Sequence, residues 1–176
     1  MAKISKKRVA TFLTAGANAA TTTEQGRAYE DLVCYLFESV PGITETFRNQ
    51  LNVLHSEEID VVFWNDRATE GFWFLQELIL VECKDWSSPV GSQHVSWFLN
   101  KLRTKALLSG VLVAANGITG SIQDRTAAHT IIAQALLEGR RIIVLTTDDL
   151  LAINSPAALV TLVKKKLCQV TLMGSF

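Results

Sequence analysis

Three side chains in this chain of 176 residues, Asp60, Glu82 and Lys84, have the types and spacing to handle a hard cation. The run Leu78-Ile79-Leu80-Val81-Glu82-Cys83-Lys84 is dense enough in apolar residues to read as a buried strand. Side chains alternate across a strand, so Glu82 and Lys84 share one face and Cys83 points to the other. A core strand has no packing reason to end in two like-facing charges, because burying either one unpaired is costly. Such charges pair with each other, reach solvent where the strand leaves the core, or serve a site. Upstream, Glu57-Glu58-Ile59-Asp60-Val61-Val62-Phe63-Trp64 puts Asp60 at the head of a second apolar strand. Residues 65–71, with Asn65, Asp66 and Gly71, are turn-rich, and the chain is apolar again from Phe72. A hairpin follows, with Asp60 roughly opposite Leu78 to Glu82. Carboxylate and backbone carbonyl oxygens are the hard ligands that Mg²⁺ prefers, and it commonly takes one or two carboxylates, leaving its other positions to water and phosphate. Two carboxylates and a lysine at one hairpin end make such a metal site, or else an unusually placed ion pair.

The order Asp60, then Glu82-Cys83-Lys84, resembles the Asp…(Asp/Glu)-x-Lys signature of the restriction-endonuclease-like, or PD-(D/E)XK, nucleases. The longer string Glu82-Cys83-Lys84-Asp85-Trp86-Ser87-Ser88-Pro89-Val90-Gly91 is similar to the Mrr-like branch, where a Cys-Lys-aromatic-Pro-Val-Gly run follows the catalytic strand. The resemblance extends from about Glu24 to Ile153, and the order of elements around the short motif makes it specific. It implies an αβββαβ core and hydrolysis of DNA phosphodiesters. Asp60, Glu82 and the Cys83 backbone carbonyl would hold Mg²⁺, with Mn²⁺ able to substitute. Lys84 would orient or deprotonate the attacking water, or stabilise the pentavalent phosphate. The family's first helix often supplies a glutamate to the metal site. By that implication Glu30 is a candidate, beside the alternative of an exposed helix glutamate.

The remaining sequence must build the elements that hold these groups. At 48% apolar, the chain is long enough for one domain with a buried core. A formal charge of zero gives no global attraction to nucleic acid, so phosphate contacts must be local. Cys34, Cys83 and Cys168 are widely spaced, odd in number and form no CxxC. They argue for a reducing compartment, the cytoplasm, and against a zinc site or disulfide framework. No stretch approaches the roughly 18–20 apolar residues that span a bilayer. Lys3, Lys6, Lys7 and Arg8 before Val9 to Leu13 superficially mimic a signal peptide, but Thr11, Thr14 and Gly16 break its apolar centre. Residues 1–23 are therefore expected to be a basic arm or a packing extension on a single nuclease domain, residues 24–176.

A helix start is expected at Thr23, with Glu24 to Glu30 in its first turns and Tyr29, Leu32, Val33, Leu36 and Phe37 as its buried stripe. Pro41-Gly42 ends it, and residues 43–54 form the first strand of a meander leading to Asp60. After Pro89-Val90-Gly91 a second helix begins near Ser92, with Val95, Phe98, Leu99, Leu102 and Ala106 inward. His94, Trp97, Lys101 and Lys105 make another face, with Arg103 nearby, which either follows a DNA backbone or is a solvated amphipathic surface. Gln93, at the start of this helix, is placed to orient a water or phosphate near the metals. Strand (110–115), helix (125–137) and strand (141–145) then predict parallel pairing, and a short and a closing helix follow. The pattern is an α/β three-layer sandwich around a mixed β-sheet.

The expected function is a Mg²⁺-dependent endonuclease acting in defence against foreign DNA. Alternatives on the same fold are a catalytically silent nucleic-acid-binding or assembly module, and a nuclease of repair or Holliday-junction resolution. A thiol or serine hydrolase using Cys83 or Ser87 with His94 or His129 is disfavoured, because Cys83 faces away from the charged pair and no nucleophile elbow is present. His55 and His94 lack partners at zinc-ligand spacing. A lone nuclease domain of this size carries no separate reader of sequence. It is expected to form a homodimer or higher homo-oligomer, or to rely on a partner protein for recognition.

Overall fold

The computed structural model describes residues 3–51, 58–84, 87–120 and 128–174, with only the backbone at Leu51 and Glu58. Val53, His55, Glu57, Asp85, Trp86 and Arg125 lie outside the described residues. Helices α1 (Lys6–Ala17) and α2 (Thr22–Phe37) lead into strands β1 (Ile43–Leu51), β2 (Glu58–Asn65) and β3 (Leu78–Lys84). Then α3 (Ser92–Thr104), β4 (Ser109–Ala114), α4 (Ala128–Leu137) and β5 (Arg141–Leu145) alternate, before α5 (Thr147–Ala152) and α6 (Pro156–Met173). The five strands form one sheet in the order β1-β2-β3-β4-β5. β2 pairs antiparallel with β1 on one side and β3 on the other, whereas the β3–β4 and β4–β5 pairs are parallel. This is the mixed-sheet α/β sandwich of the restriction-endonuclease-like fold, with the expected element order at its centre.

Strand alternation sends the sheet's side chains into two apolar layers. Val61, Phe63, Ile79, Val81, Cys83, Val111, Val113, Ile143 and Leu145 pack with Leu32, Val33, Leu36 and Phe37 of α2. Leu80, Leu112, Ile142 and Val144 pack on the other face with Val95, Phe98, Leu99 and Leu102 of α3 and with Ala128, Ile132 and Ala135 of α4. Both crossover helices thus lie on one face, as successive parallel connections of one hand require. Helix α6 contributes Leu159 and Val163 to the first layer and Val170 to the second, alongside β5. Ile4 and Val9 belong to the first layer, and the Ser5 N–H donates to the Tyr35 hydroxyl at 2.9 Å.

Several boundaries shift from their expected places for local reasons. Thr21, rather than Thr23, caps α2: its hydroxyl accepts from the Glu24 N–H at 3.2 Å, and the Glu24 carboxylate accepts from the Ala20 N–H at 3.0 Å. Glu24 thus holds the chain on both sides of the cap, its N–H bonded to Thr21 and its carboxylate to the residue before Thr21, while Thr23 lies inside the helix. Between β2 and β3 the apolar residues from Phe72 onward are folded into the connection rather than extending the strand. Buried Asn65 pins this loop, donating from Nδ2 to the Phe72 carbonyl at 2.9 Å and to the Gln76 carbonyl at 3.1 Å. Phe72 turns inward against Phe37, with ring centroids 5.6 Å apart. Past the strand ends, Val90 and Ile118 form an isolated parallel bridge that ties the loop after β3 to the loop after β4.

Helix α3 approaches the sheet very closely at Gly110. A Cβ there would stand 2.7 Å from Leu102 Cδ2 and 2.7 Å from Phe98 Cζ. Gly110→Ala should therefore overpack the layer and cost about 1–3 kcal/mol, read as a lowered urea midpoint with unchanged slope.

Candidate active site

The antiparallel register of β2 and β3 pairs Val61 with Val81, and one residue beyond that pair stand Asp60 and Glu82. They lie on the sheet face that α3 covers, since Leu80, of the same parity as Glu82, packs with the α3 residues. The Cys83 N–H donates to Asp60 Oδ2 at 2.8 Å, fixing the carboxylate against the edge of β3. Lys84 Nζ lies 2.8 Å from Glu82 Oε1 and 3.9 Å from Asp60 Oδ2. The three residues singled out for metal chemistry are thus gathered within ion-pair distances at the C-terminal end of β3, where parallel strands commonly present their ligands.

A fourth charge joins them. Lys101, from α3, places Nζ 2.6 Å from Glu82 Oε2. The residue is 8% exposed and Glu82 6% exposed, so this is a buried pair and not a rim contact. The expectation that Lys101 lies on a DNA-facing surface is corrected: it stands three residues from Phe98, on the side of α3 that packs on the sheet. The other members of that expected surface diverge. Trp97 is exposed and meets His94 edge-on, with ring centroids 4.7 Å apart. The Arg103 guanidinium forms an ion pair with Glu138 after α4, which spends its charge on holding two helices together. Lys105 is half-buried just past the helix end.

Glu30 is buried on α2, not exposed. Its Oε2 accepts from Arg48 Nε at 3.1 Å and from Asn49 Nδ2 at 2.9 Å, while the same arginine reaches Asp31 Oδ1 at 2.7 Å. Asn49 takes a left-handed backbone, φ 49°, to make this contact. The Glu30 charge still acts on the Cys83 thiol, which places it near the strand end without joining the carboxylate pair directly. Gln93 is exposed in the first turn of α3; its neighbour His94 is the residue there that senses both Lys84 and Glu82 electrostatically. The sequence groups His94 with Lys101, seven residues on, on one face of this helix, and sets it aside only as a zinc ligand.

The energetics follow from burial. Asp60 is pushed up to about 6, first by burial and then by the Glu82 charge, against the pull of Lys84, the Cys83 N–H and Lys101. Burial works against the Lys84 ammonium, yet Glu82 and Asp60 outweigh it, so its net shift is upward and it stays protonated. Burial likewise drives the Cys83 thiol well above its ordinary range, keeping it neutral and inert. That disposes of Cys83 as a nucleophile. A cleft of about 480 Å³ opens beside the site, lined by Thr22, Gln25 and Gly26 of α2 and by Cys83, Lys84, Ser87 and Ser88. Lys84 is the charged residue of its lining.

The donor set fits a hard divalent ion. Among the described residues no three His, Cys, Asp or Glu side chains cluster as a metal cage. Mg²⁺ does not need one, being commonly held by one or two carboxylates with waters and phosphate. Within a strand, a residue's N–H and C=O point to the same side. Because the Cys83 N–H faces Asp60, its carbonyl faces the same space. Crowding two carboxylates in a buried place is unfavourable without positive charge, and Asp60 is raised accordingly, by burial first and by Glu82 second.

A pH test follows. Asp60 binds its proton more tightly folded than unfolded, so its contribution to stability is full below the unfolded value of 3.8 and is lost as pH rises through about 6. Metal-free Asp60→Asn should accordingly be more stable than wild type at pH 8, by on the order of 1–3 kcal/mol. The gain should shrink towards pH 4, as followed by chemical denaturation across that range.

A comparison with curated proteins gives no match. The family described as "Restriction endonuclease" (Mrr_cat) matches residues 21–152, from the cap of α2 to the end of α5. Its span covers β1 to β5 and every charged residue of the cluster. Divalent metals are typical of its members. With three quarters of its length inside that match, the chain belongs to the Mrr-type restriction endonuclease family.

Proposed function

We propose that this chain is a Mg²⁺-dependent endonuclease that hydrolyses DNA phosphodiester bonds in defence against foreign DNA, with Mn²⁺ able to replace Mg²⁺. The observation that carries the reading is the convergence of Asp60, Glu82 and Lys84 at the end of β3, with the Cys83 N–H orienting Asp60. Asp60, Glu82 and the Cys83 carbonyl would hold the ion. When bound, Mg²⁺ lowers the pKa of a water and offsets charge developing on the scissile phosphate. Lys84, held as an ammonium by Glu82 and Asp60 in the metal-free molecule, would orient the attacking water or stabilise the phosphate oxygens. Burial of Asp60 and Glu82 lowers the local dielectric, which strengthens each of these interactions. Glu30, braced by Arg48 and Asn49, supplies negative charge behind the strand end. Gln93 and Trp97, both exposed on α3, would contact a bound strand. A homo-oligomer or a partner protein would supply sequence recognition.

One feature favours a second reading, a silent binding or assembly module on the same fold: both Glu82 oxygens already carry an ammonium. Turnover separates the two. Purified protein with Mg²⁺ or Mn²⁺ should nick supercoiled plasmid DNA, and EDTA should stop it; cleavage that survives EDTA removes metal catalysis. Asp60→Ala, Glu82→Ala and Lys84→Ala should each lower the rate by about 100-fold or more while circular dichroism stays native. Cys83→Ala should cleave at near the wild-type rate, because only the Cys83 backbone is used.

A further inference from the structure

Glu82 is engaged at both oxygens by cations of different origin. Lys84, two residues along the same strand, holds Oε1 at 2.8 Å, and Lys101, from a separate helix, holds Oε2 at 2.6 Å. Lysine is rarely buried unless paired, and α3 spends a position of its packing face to bring this one in. Phe98, Leu99 and Leu102 anchor that helix to the sheet, and Gly110 lets it close to contact, so the base of the Lys101 side chain is fixed. Its ammonium sits on a flexible four-carbon stem and can change partners by rotation. With Asp60, Glu82, Lys84 and Lys101 all ionised, the cluster is formally neutral before any ion arrives.

We propose that Lys101 is a positioning residue acting through Glu82: it occupies Oε2 as a resident counter-charge and gives way when a divalent ion takes that oxygen. The inference rests on the metal reading above and deepens it. Lys84 remains on Oε1 as the working ammonium, while Lys101 keeps the two carboxylates compatible in the metal-free molecule. Because it competes for a ligand oxygen and adds a like charge beside the ion, it weakens metal binding. Loading therefore stays reversible, and Glu82 keeps a partner on each oxygen until the cation is present.

The test is calorimetric titration of Mn²⁺ into the full chain without nucleic acid, for wild type, K101M, K101R and E82Q. K101M should bind Mn²⁺ about tenfold or more tightly than wild type. K101R, which keeps the charge, should stay near wild type, and E82Q should bind more weakly. Should K101M fail to melt cooperatively, K101Q carries the same expectation, as it removes the charge but keeps a donor toward Glu82. Wild-type binding with unchanged or weaker binding in the neutral variants overturns the role of Lys101 and leaves the metal reading standing. Tightening in K101R as well would assign the effect to packing and overturn it too, as would loss of cooperative folding in both neutral variants. If neither wild type nor the neutral variants bind Mn²⁺, the metal reading fails and this inference falls with it.

Discussion

Two carboxylates facing one another across the β2–β3 ladder, in a place where water is largely excluded, set the terms for everything around them. The strain shows at Asp60, whose carboxyl is raised by the burial it suffers and by the charge of Glu82. The molecule answers with groups from three directions. The N–H of Cys83 comes from the strand itself, Lys84 from the strand's end, and Lys101 from the helix laid over it. Each has to arrive within about 3 Å of its oxygen to matter in competition with desolvation. The close seat of α3 over Gly110 and the pinned loops at Val90 and Ile118 are therefore conditions for the charge cluster, and not just packing detail.

The carboxylate pair was legible in the sequence because strands impose a period of two. Once the run at residues 78–84 is read as buried, Glu82 and Lys84 must share a face, and the turn-rich stretch after Trp64 sets Asp60 against them. The family signature then adds the fold class and element order. Lys101 was not legible. Helical periodicity separates an apolar stripe from a polar one, but a lysine at the boundary can be solvated or drawn inward, and only a buried anion on another element decides between these. Glu82 decides it, and its position relative to α3 depends on a crossover whose geometry no local pattern encodes.

Other departures have the same origin in tertiary partners. The apolar residues from Phe72 to Leu75 look like strand, yet Asn65 captures two carbonyls of that segment and folds it into a plug beneath Phe37. Glu30 reads as a helix-surface acid until Arg48 and Asn49, from β1, claim it. The cap of α2 is the local exception: Thr21 accepts from the Glu24 N–H while the Glu24 carboxylate accepts from the Ala20 N–H. Pattern reasoning fails at polar residues whose partners are distant in sequence, and such residues crowd the neighbourhood of the site.

The two margins of the sheet are treated differently. Along β5 runs α6, with side chains in both apolar layers, so that margin is clothed. Among the described residues β1 has a strand neighbour on one side alone, but its rhythm is interrupted by a register shift between Glu45 and Phe47 and by the left-handed turn of the backbone at Asn49. A strand from another molecule would find no unbroken row of amides and carbonyls to match. The same kink that lets Asn49 hold Glu30 thus also makes β1 a poor template for edge-to-edge pairing.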